Sequence, residues 1–117
     1  MLIYTNLEIW KKSYSLALQI YEISKTFPND EKFGLISQIR RASVSIPINI
    51  AEGAGRATEK DFANFIQIAI GSANEVECEL MLAKDLGYVN EDIFQNLYDQ
   101  LREIKIMMIY FRKTLLK

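Results

Sequence analysis

Glu75 and Glu79 are the two acidic residues whose spacing best suits joint chemistry. Residues four apart share one face of a helix, so the two carboxylates could bind a metal ion or act as an acid and base pair. A salt-bridged pair at a helix interface is a commoner role for such residues, and we favour it. Cys78 lies between them with no basic neighbour in sequence to activate its thiol, which indicates an inert structural cysteine.

Histidine is absent from the chain, and this removes many familiar catalytic and metal centres. The Glu-x-x-His signature of di-iron bundles, histidine-containing zinc sites and histidine-based triads all need that residue. The sequence therefore predicts a protein that is not an enzyme and that carries neither a metal nor a cofactor.

A glycine-rich turn, G-A-G-R at Gly53 to Arg56, precedes a predicted helix that contains Lys60. Free backbone N–H groups and two positive side chains at such a turn could form an anion-binding nest. The turn is not a Walker A loop, since no strand precedes it and no Lys-Ser/Thr pair follows its second glycine. The glycines are also explained by a left-handed helix C-cap at Gly53 and a tight turn. With a neighbouring arginine pair, the candidate residues for RNA or anion binding are Arg40, Arg41, Arg56 and Lys60.

Apolar periodicity predicts four helices, at about residues 6–26, 30–53, 59–86 and 91–115. The expected N-terminal caps are Thr5, Asn29 or Asp30, Thr58 and Asn90. Pro47 is expected to kink the second helix without ending it, because the apolar periodicity continues in phase beyond it. The pattern indicates one all-α domain, residues 1–117, folded as an up-down-up-down four-helix bundle.

A polar stripe runs along the second helix at spacings of three and four residues, through Gln38, Arg41, Ser45, Asn49 and Glu52. It is either a solvated face or a hydrogen-bonded seam against another helix, because serine and asparagine are poor helix formers that suit close packing. We also predict that Arg41 pairs with Glu75 or Glu79 on the third helix. The predicted interface network comprises Gln38, Arg41, Asn49, Glu52, Glu75 and Glu79.

The first and last helices carry more apolar surface than a four-helix monomer can bury. The first helix has two adjacent apolar stripes, and the last becomes apolar almost all round between Ile106 and Phe111. Surplus apolar surface of this kind marks interaction sites. We therefore predict a homo-oligomer whose contacts are made by the first and last helices.

Charge and cysteine content limit the partners and the compartment. The 14 Lys and Arg residues nearly balance the 15 Asp and Glu residues, so the net charge of −1 provides no global positive field for nucleic acid. Cys78 has no partner for an intrachain disulfide, no export signal is recognisable, and no apolar run approaches the roughly 20 residues that span a bilayer. These features predict a cytoplasmic protein with no membrane association.

Four ordered motifs then carry a family resemblance: F-P at Phe27, G-L-x-x-Q-x-R-R-A from Gly34, S-I-P-x-N-I-A-E-G from Ser45 and G-S-x-x-E from Gly71. With them, residues 14–89 resemble the four-helix-bundle proteins encoded in intervening sequences of bacterial 23S ribosomal RNA genes. The resemblance implies an up-down bundle assembled as a ring-like homopentamer. The chain is also similar to accessory proteins of diversity-generating retroelements, which are markedly basic and bind nucleic acid and a reverse transcriptase.

Two functions follow as hypotheses. The first is a homo-oligomeric bundle that associates with structured RNA or with an RNA-handling protein such as a reverse transcriptase. The second is a protein-binding scaffold with no nucleic-acid role, in which the same arginines lie inside the subunit interface. Phosphate contacts weaken steeply as salt is raised whereas apolar contacts do not, so the salt dependence of binding separates the two.

Overall fold

Four long helices dominate the computed structural model, which describes residues 2–117. They are α1 (Glu8–Ser24), α2 (Leu35–Ala54), α3 (Glu59–Asp85) and α4 (Glu91–Leu115), with short 3-10 turns at Tyr4–Asn6 and Asn29–Glu31. Consecutive helices pack against each other and α4 packs against α1. No β-strand occurs in the part of the chain that is described. The predicted all-α, up-down-up-down four-helix bundle is confirmed.

Apolar side chains at helical spacing fill a single core between the helices. Fully buried members include Leu16, Ile20, Ile39, Ile46, Ile50, Ile66, Leu80, Leu101, Ile104 and Met108. The α1–α4 contact also carries polar groups, since the amides of Gln19 and Gln100 exchange two hydrogen bonds of 2.9 Å. Across residues 2–117, no helix combines the length and apolar content needed to cross a membrane.

The closest approach of α2 and α3 depends on Gly53. A Cβ atom at this position would lie 2.7 Å from both Phe62 Cδ1 and Phe65 Cβ, so the missing side chain lets the first turns of α3 pack on α2. The predicted left-handed C-cap at Gly53 is wrong, because Gly53 is buried inside α2 and Gly55 follows as the C-cap with φ of −88°. Gly87, after α3, has the only positive φ in the described chain.

The starts of α3 and α4 follow the sequence signals. Thr58 Oγ1 accepts a hydrogen bond from the Asp61 backbone N–H at 3.1 Å, and Asn90 Oδ1 accepts one from the Ile93 N–H at 2.8 Å. Both caps are confirmed. The predicted cap at Thr5 is wrong, because Thr5 lies in a 3-10 turn and α1 begins after Leu7 with no side-chain cap.

The start of α2 is organised by Glu31 rather than by the predicted caps, Asn29 or Asp30. Asn29 and Asp30 belong to a 3-10 turn, and α2 begins only at Leu35. The Glu31 carboxylate accepts hydrogen bonds from the Tyr88 hydroxyl at 2.8 Å and from the Leu35 N–H at 3.2 Å. These two bonds, that of Tyr88 first, lower the pKa of Glu31. Glu31 therefore joins the start of α2 to the α3–α4 connection.

Candidate functional site

The predicted polar seam forms in part, between α2 and α3. The hydroxyls of Ser45 and Ser72 are 2.9 Å apart and share a hydrogen bond across the two helices. Asn49 Nδ2 donates to the Ser45 carbonyl at 2.7 Å and to its hydroxyl at 2.9 Å. Gln38 and Glu52, from the same predicted stripe, are exposed. The stripe is thus a seam in its middle and a solvated face at its ends.

Arg41 does not make the predicted pairing. It is exposed, and within residues 2–117 it forms no ion pair with Glu75, Glu79 or any other carboxylate. Water solvates the guanidinium on the outer side of α2, whereas pairing it inside the seam would require desolvation. The prediction of an intrachain Arg41–Glu75 or Arg41–Glu79 pair is wrong.

Glu79 is a buried acid without a cation. Its side chain is only 5% exposed, and its Oε1 has no hydrogen-bond partner among residues 2–117. Burial, and secondarily repulsion from nearby Glu75, raise the pKa of Glu79 to about 7. The two glutamates form no group with a third carboxylate, cysteine or histidine in the described chain that could hold a metal ion. Cys78 is exposed and does not have the packed structural role that was predicted.

Arg40, one of the candidate RNA-binding residues, faces α1. Its Nε donates to the buried hydroxyl of Ser24 at 2.7 Å, and a terminal nitrogen donates to the Tyr21 carbonyl at 3.3 Å. The guanidinium carbon also lies 4.8 Å from the Tyr21 ring centroid. These contacts use two of the five N–H donors of Arg40 and join α1 to α2.

Arg56 is also engaged within the chain. Its Nε lies 3.7 Å from an Asp61 carboxylate oxygen, and its guanidinium lies 5.2 Å from the Phe65 ring centroid. The Asp61 carboxylate occupies the first turn of α3, where a bound anion would otherwise be favoured. Neither glycine of the G-A-G-R turn has a positive φ, so the turn lacks the αR–αL form of an anion nest.

The four candidate basic residues are not gathered on one rim of the subunit. Arg40 and Arg41 belong to the first half of α2, whereas Arg56 follows its C-terminus. At 1.5 Å per residue, these positions are about 20 Å apart along the helix axis. Lys60 is exposed near Arg56 and has no ion pair among the residues the structure covers. A basic site within one chain could therefore use Arg56 and Lys60 but not all four.

Exposed apolar side chains occur on every helix, so the surplus is not confined to the first and last helices as predicted. Members with the largest exposed fractions include Leu18, Ile48, Ile68, Leu86 and Tyr110. A groove of about 400 Å³ runs between α1 and α2 and is lined by Trp10, Tyr14, Leu18, Tyr21, Pro47 and Ile48. Phe33, just before α2, is 90% exposed. Sequence reasoning missed Phe33 because it belongs to no helical stripe.

The amino-acid sequence of the bundle matches a known protein family over most of its length. Residues 5–110 match the profile of the 23S rRNA-intervening sequence protein family. The chain belongs to this family. The family resemblance predicted from the four motifs is confirmed.

One solved structure is similar to the structure of this family member. It is described as a protein of unknown function from the S23 ribosomal protein family of Bacteroides thetaiotaomicron. The two chains are 30% identical with a TM-score of 0.83, over 90% of this chain and 95% of the other. No curated protein sequence shows significant similarity to this member of the 23S rRNA-intervening sequence protein family.

Proposed function

We propose that this protein is a cytoplasmic, non-enzymatic bundle that assembles into a ring-like homopentamer and serves as a protein-binding scaffold. The observation that carries the proposal is the large apolar surface outside the core, spread over all four helices. Contiguous apolar patches on soluble proteins mark interaction sites because covering them removes apolar area from water. The subunit number of five comes from the resemblance to pentameric bundles.

Several features favour a scaffold over an enzyme. Glu79 and Glu75 lack the third ligand of a metal centre in the described chain, and Arg40 and Arg56 are held by contacts inside the subunit. The remaining unusual surface is apolar, and the α1–α2 groove combines aromatic and aliphatic side chains, as protein-binding surfaces do.

A second candidate is association with structured RNA or with an RNA-handling partner such as a reverse transcriptase. It is favoured by Lys60, Lys113 and Lys117, which are exposed at the same end of the bundle and form no ion pair within residues 2–117. In a ring of parallel copies these lysines repeat on one rim. Because the net charge is −1, RNA contact would be restricted to that rim.

Native mass spectrometry of protein purified at low salt without nuclease tests both candidates. We expect a mass of five subunits. A pentamer that carries no RNA supports the scaffold, whereas a pentamer whose RNA is lost as salt is raised supports the second candidate. A monomer at all concentrations would overturn the proposal of self-assembly.

A further inference from the structure

The hydrogen bond between Ser45 and Ser72 fixes the height of α2 relative to α3. Because the helices are antiparallel, Arg41, four residues before Ser45, lies at nearly the same height as Glu75, three residues after Ser72. Both side chains are exposed and neither forms an ion pair within residues 2–117. The outer faces of the two helices therefore present a free cation and a free anion at one level.

The same register pairs two further sets of exposed residues. Ile48 on α2 and Ile68 on α3 share a level about two turns nearer the α2–α3 turn, and they are 58% and 52% exposed. At the other end, Phe33 lies just before α2 while Leu82 and Leu86 lie at the end of α3, and all three are exposed. Each outer face therefore has a charged residue, Arg41 on α2 or Glu75 on α3, between two exposed apolar levels.

We propose that α2 of one copy packs beside α3 of the next, with Arg41 against Glu75 of the neighbouring copy. This rests on the proposed self-assembly and specifies its interface. When two copies lie side by side in parallel, residues of equal height meet, so the three levels match together. Phe33 then faces Leu82 and Leu86 of the neighbour, and Ile48 faces the neighbour's Ile68.

The symmetry of this contact suits a closed ring. The contact joins α2 of one copy to α3 of the next, and repeated rotation about an axis parallel to the bundle keeps the copies parallel and closes them into a ring. A two-fold axis perpendicular to the bundle would instead reverse the direction of one copy. The matched heights then hold only at the level of the symmetry axis.

Charge complementarity supports a second copy as the occupant of the α3 face. Glu75 lies one helical turn before Glu79, whose carboxyl group is buried with an oxygen that has no hydrogen-bond partner in the described part of the chain. Repulsion from Glu75 contributes to the raised pKa of Glu79, and neither carboxyl group has a cation partner within residues 2–117. A guanidinium brought to Glu75 by a neighbour supplies the cation that the subunit lacks.

Charge reversal tests the pairing. We expect Arg41→Glu and Glu75→Arg each to raise the subunit dissociation constant at least about 100-fold, because each places like charges together at the interface. The double variant, Arg41→Glu with Glu75→Arg, restores opposite charges and is expected to recover assembly to within about tenfold. Sedimentation velocity over a concentration series measures the constants, and circular dichroism verifies that each variant is folded.

Matched controls separate this inference from the proposal of self-assembly. Arg102→Glu reverses an exposed arginine on α4, outside the proposed contact, and is expected to leave assembly unchanged. Ile68→Lys, a second variant within the contact, is expected to dissociate the oligomer. A monomeric wild-type protein would overturn self-assembly itself. A wild-type oligomer that persists in Arg41→Glu, Glu75→Arg and Ile68→Lys, or singly dissociated variants that the double change does not restore, would overturn only this interface.

Discussion

We expect Gly53→Ala to lower the free energy of unfolding by about 1–3 kcal/mol, as overpacking of a close helix contact does. The new methyl group would lie 2.7 Å from Phe62 Cδ1 and from Phe65 Cβ. A ring atom can move by a rotamer change, but a Cβ atom is fixed to its backbone. The first turns of α3 must therefore shift away from α2, and the contacts of Phe62 with the core loosen.

Gly71→Ala is the matched control, because it makes the same chemical change in α3 at an exposed position. A Cβ there meets no atom within 4 Å. Alanine is the better helix former, so this variant should gain roughly 0.5–1 kcal/mol. Urea unfolding followed by circular dichroism compares the two. Equal effects of the two substitutions would show that close packing at Gly53 is not the cause.

We expect the dissociated subunit to lose roughly 1–3 kcal/mol of stability as pH rises from about 4.5 to about 7, through Glu79. Burial, followed by repulsion from Glu75, raises the pKa of Glu79 to about 7 in the folded state. Between the unfolded and folded pKa values the folded state holds the proton, so unfolding becomes easier as pH increases. The full penalty is present above the folded pKa and absent below the unfolded one.

Glu79→Gln removes this titration and keeps the shape of the side chain. The variant should therefore be more stable than the wild-type subunit at pH 8 and closer to it at pH 4.5, as measured by urea unfolding at protein concentrations too low for assembly. Glu52→Gln, which changes an exposed carboxylate on α2, is the control and should leave the pH profile nearly unchanged. A wild-type profile that Glu79→Gln does not alter would contradict the buried, uncompensated charge.

Structural features that depend only on residues close together in sequence, such as helix caps, could be predicted from the sequence. The Thr58 and Asn90 caps need only a side chain and a backbone N–H three residues away, and both formed. Helical periodicity likewise placed α3 and α4 closely. The start of α2 was missed because Glu31, which accepts a hydrogen bond from the Leu35 N–H there, is held by Tyr88, which lies 57 residues away in sequence. A glycine near a helix end suggests a C-cap, and only the contact with Phe62 and Phe65 identifies Gly53 as a packing position.

The arrangement of the candidate site depends even more on contacts between residues that are far apart in sequence. Periodicity placed the polar stripe on the correct side of α2, and the Ser45–Ser72 bond joins it to α3. It could not show that Arg40 turns toward Ser24 or that Arg41 stays in water, because both choices depend on where α1 and α3 sit. The burial of Glu79 could not be predicted from the sequence either, since an acidic residue beside apolar residues in sequence is usually solvated.

Cysteine cross-linking tests most directly the claim that α2 of one copy packs against α3 of the next. Two variants are co-expressed, one with Ile48→Cys and the other with Ile68→Cys, each also carrying Cys78→Ser to remove the native thiol. We expect a disulfide-linked dimer when the two variants are mixed and none when either variant is oxidised alone. Cross-links within a single variant, or none in a mixture that still assembles, would contradict packing of α2 against α3 of the next copy.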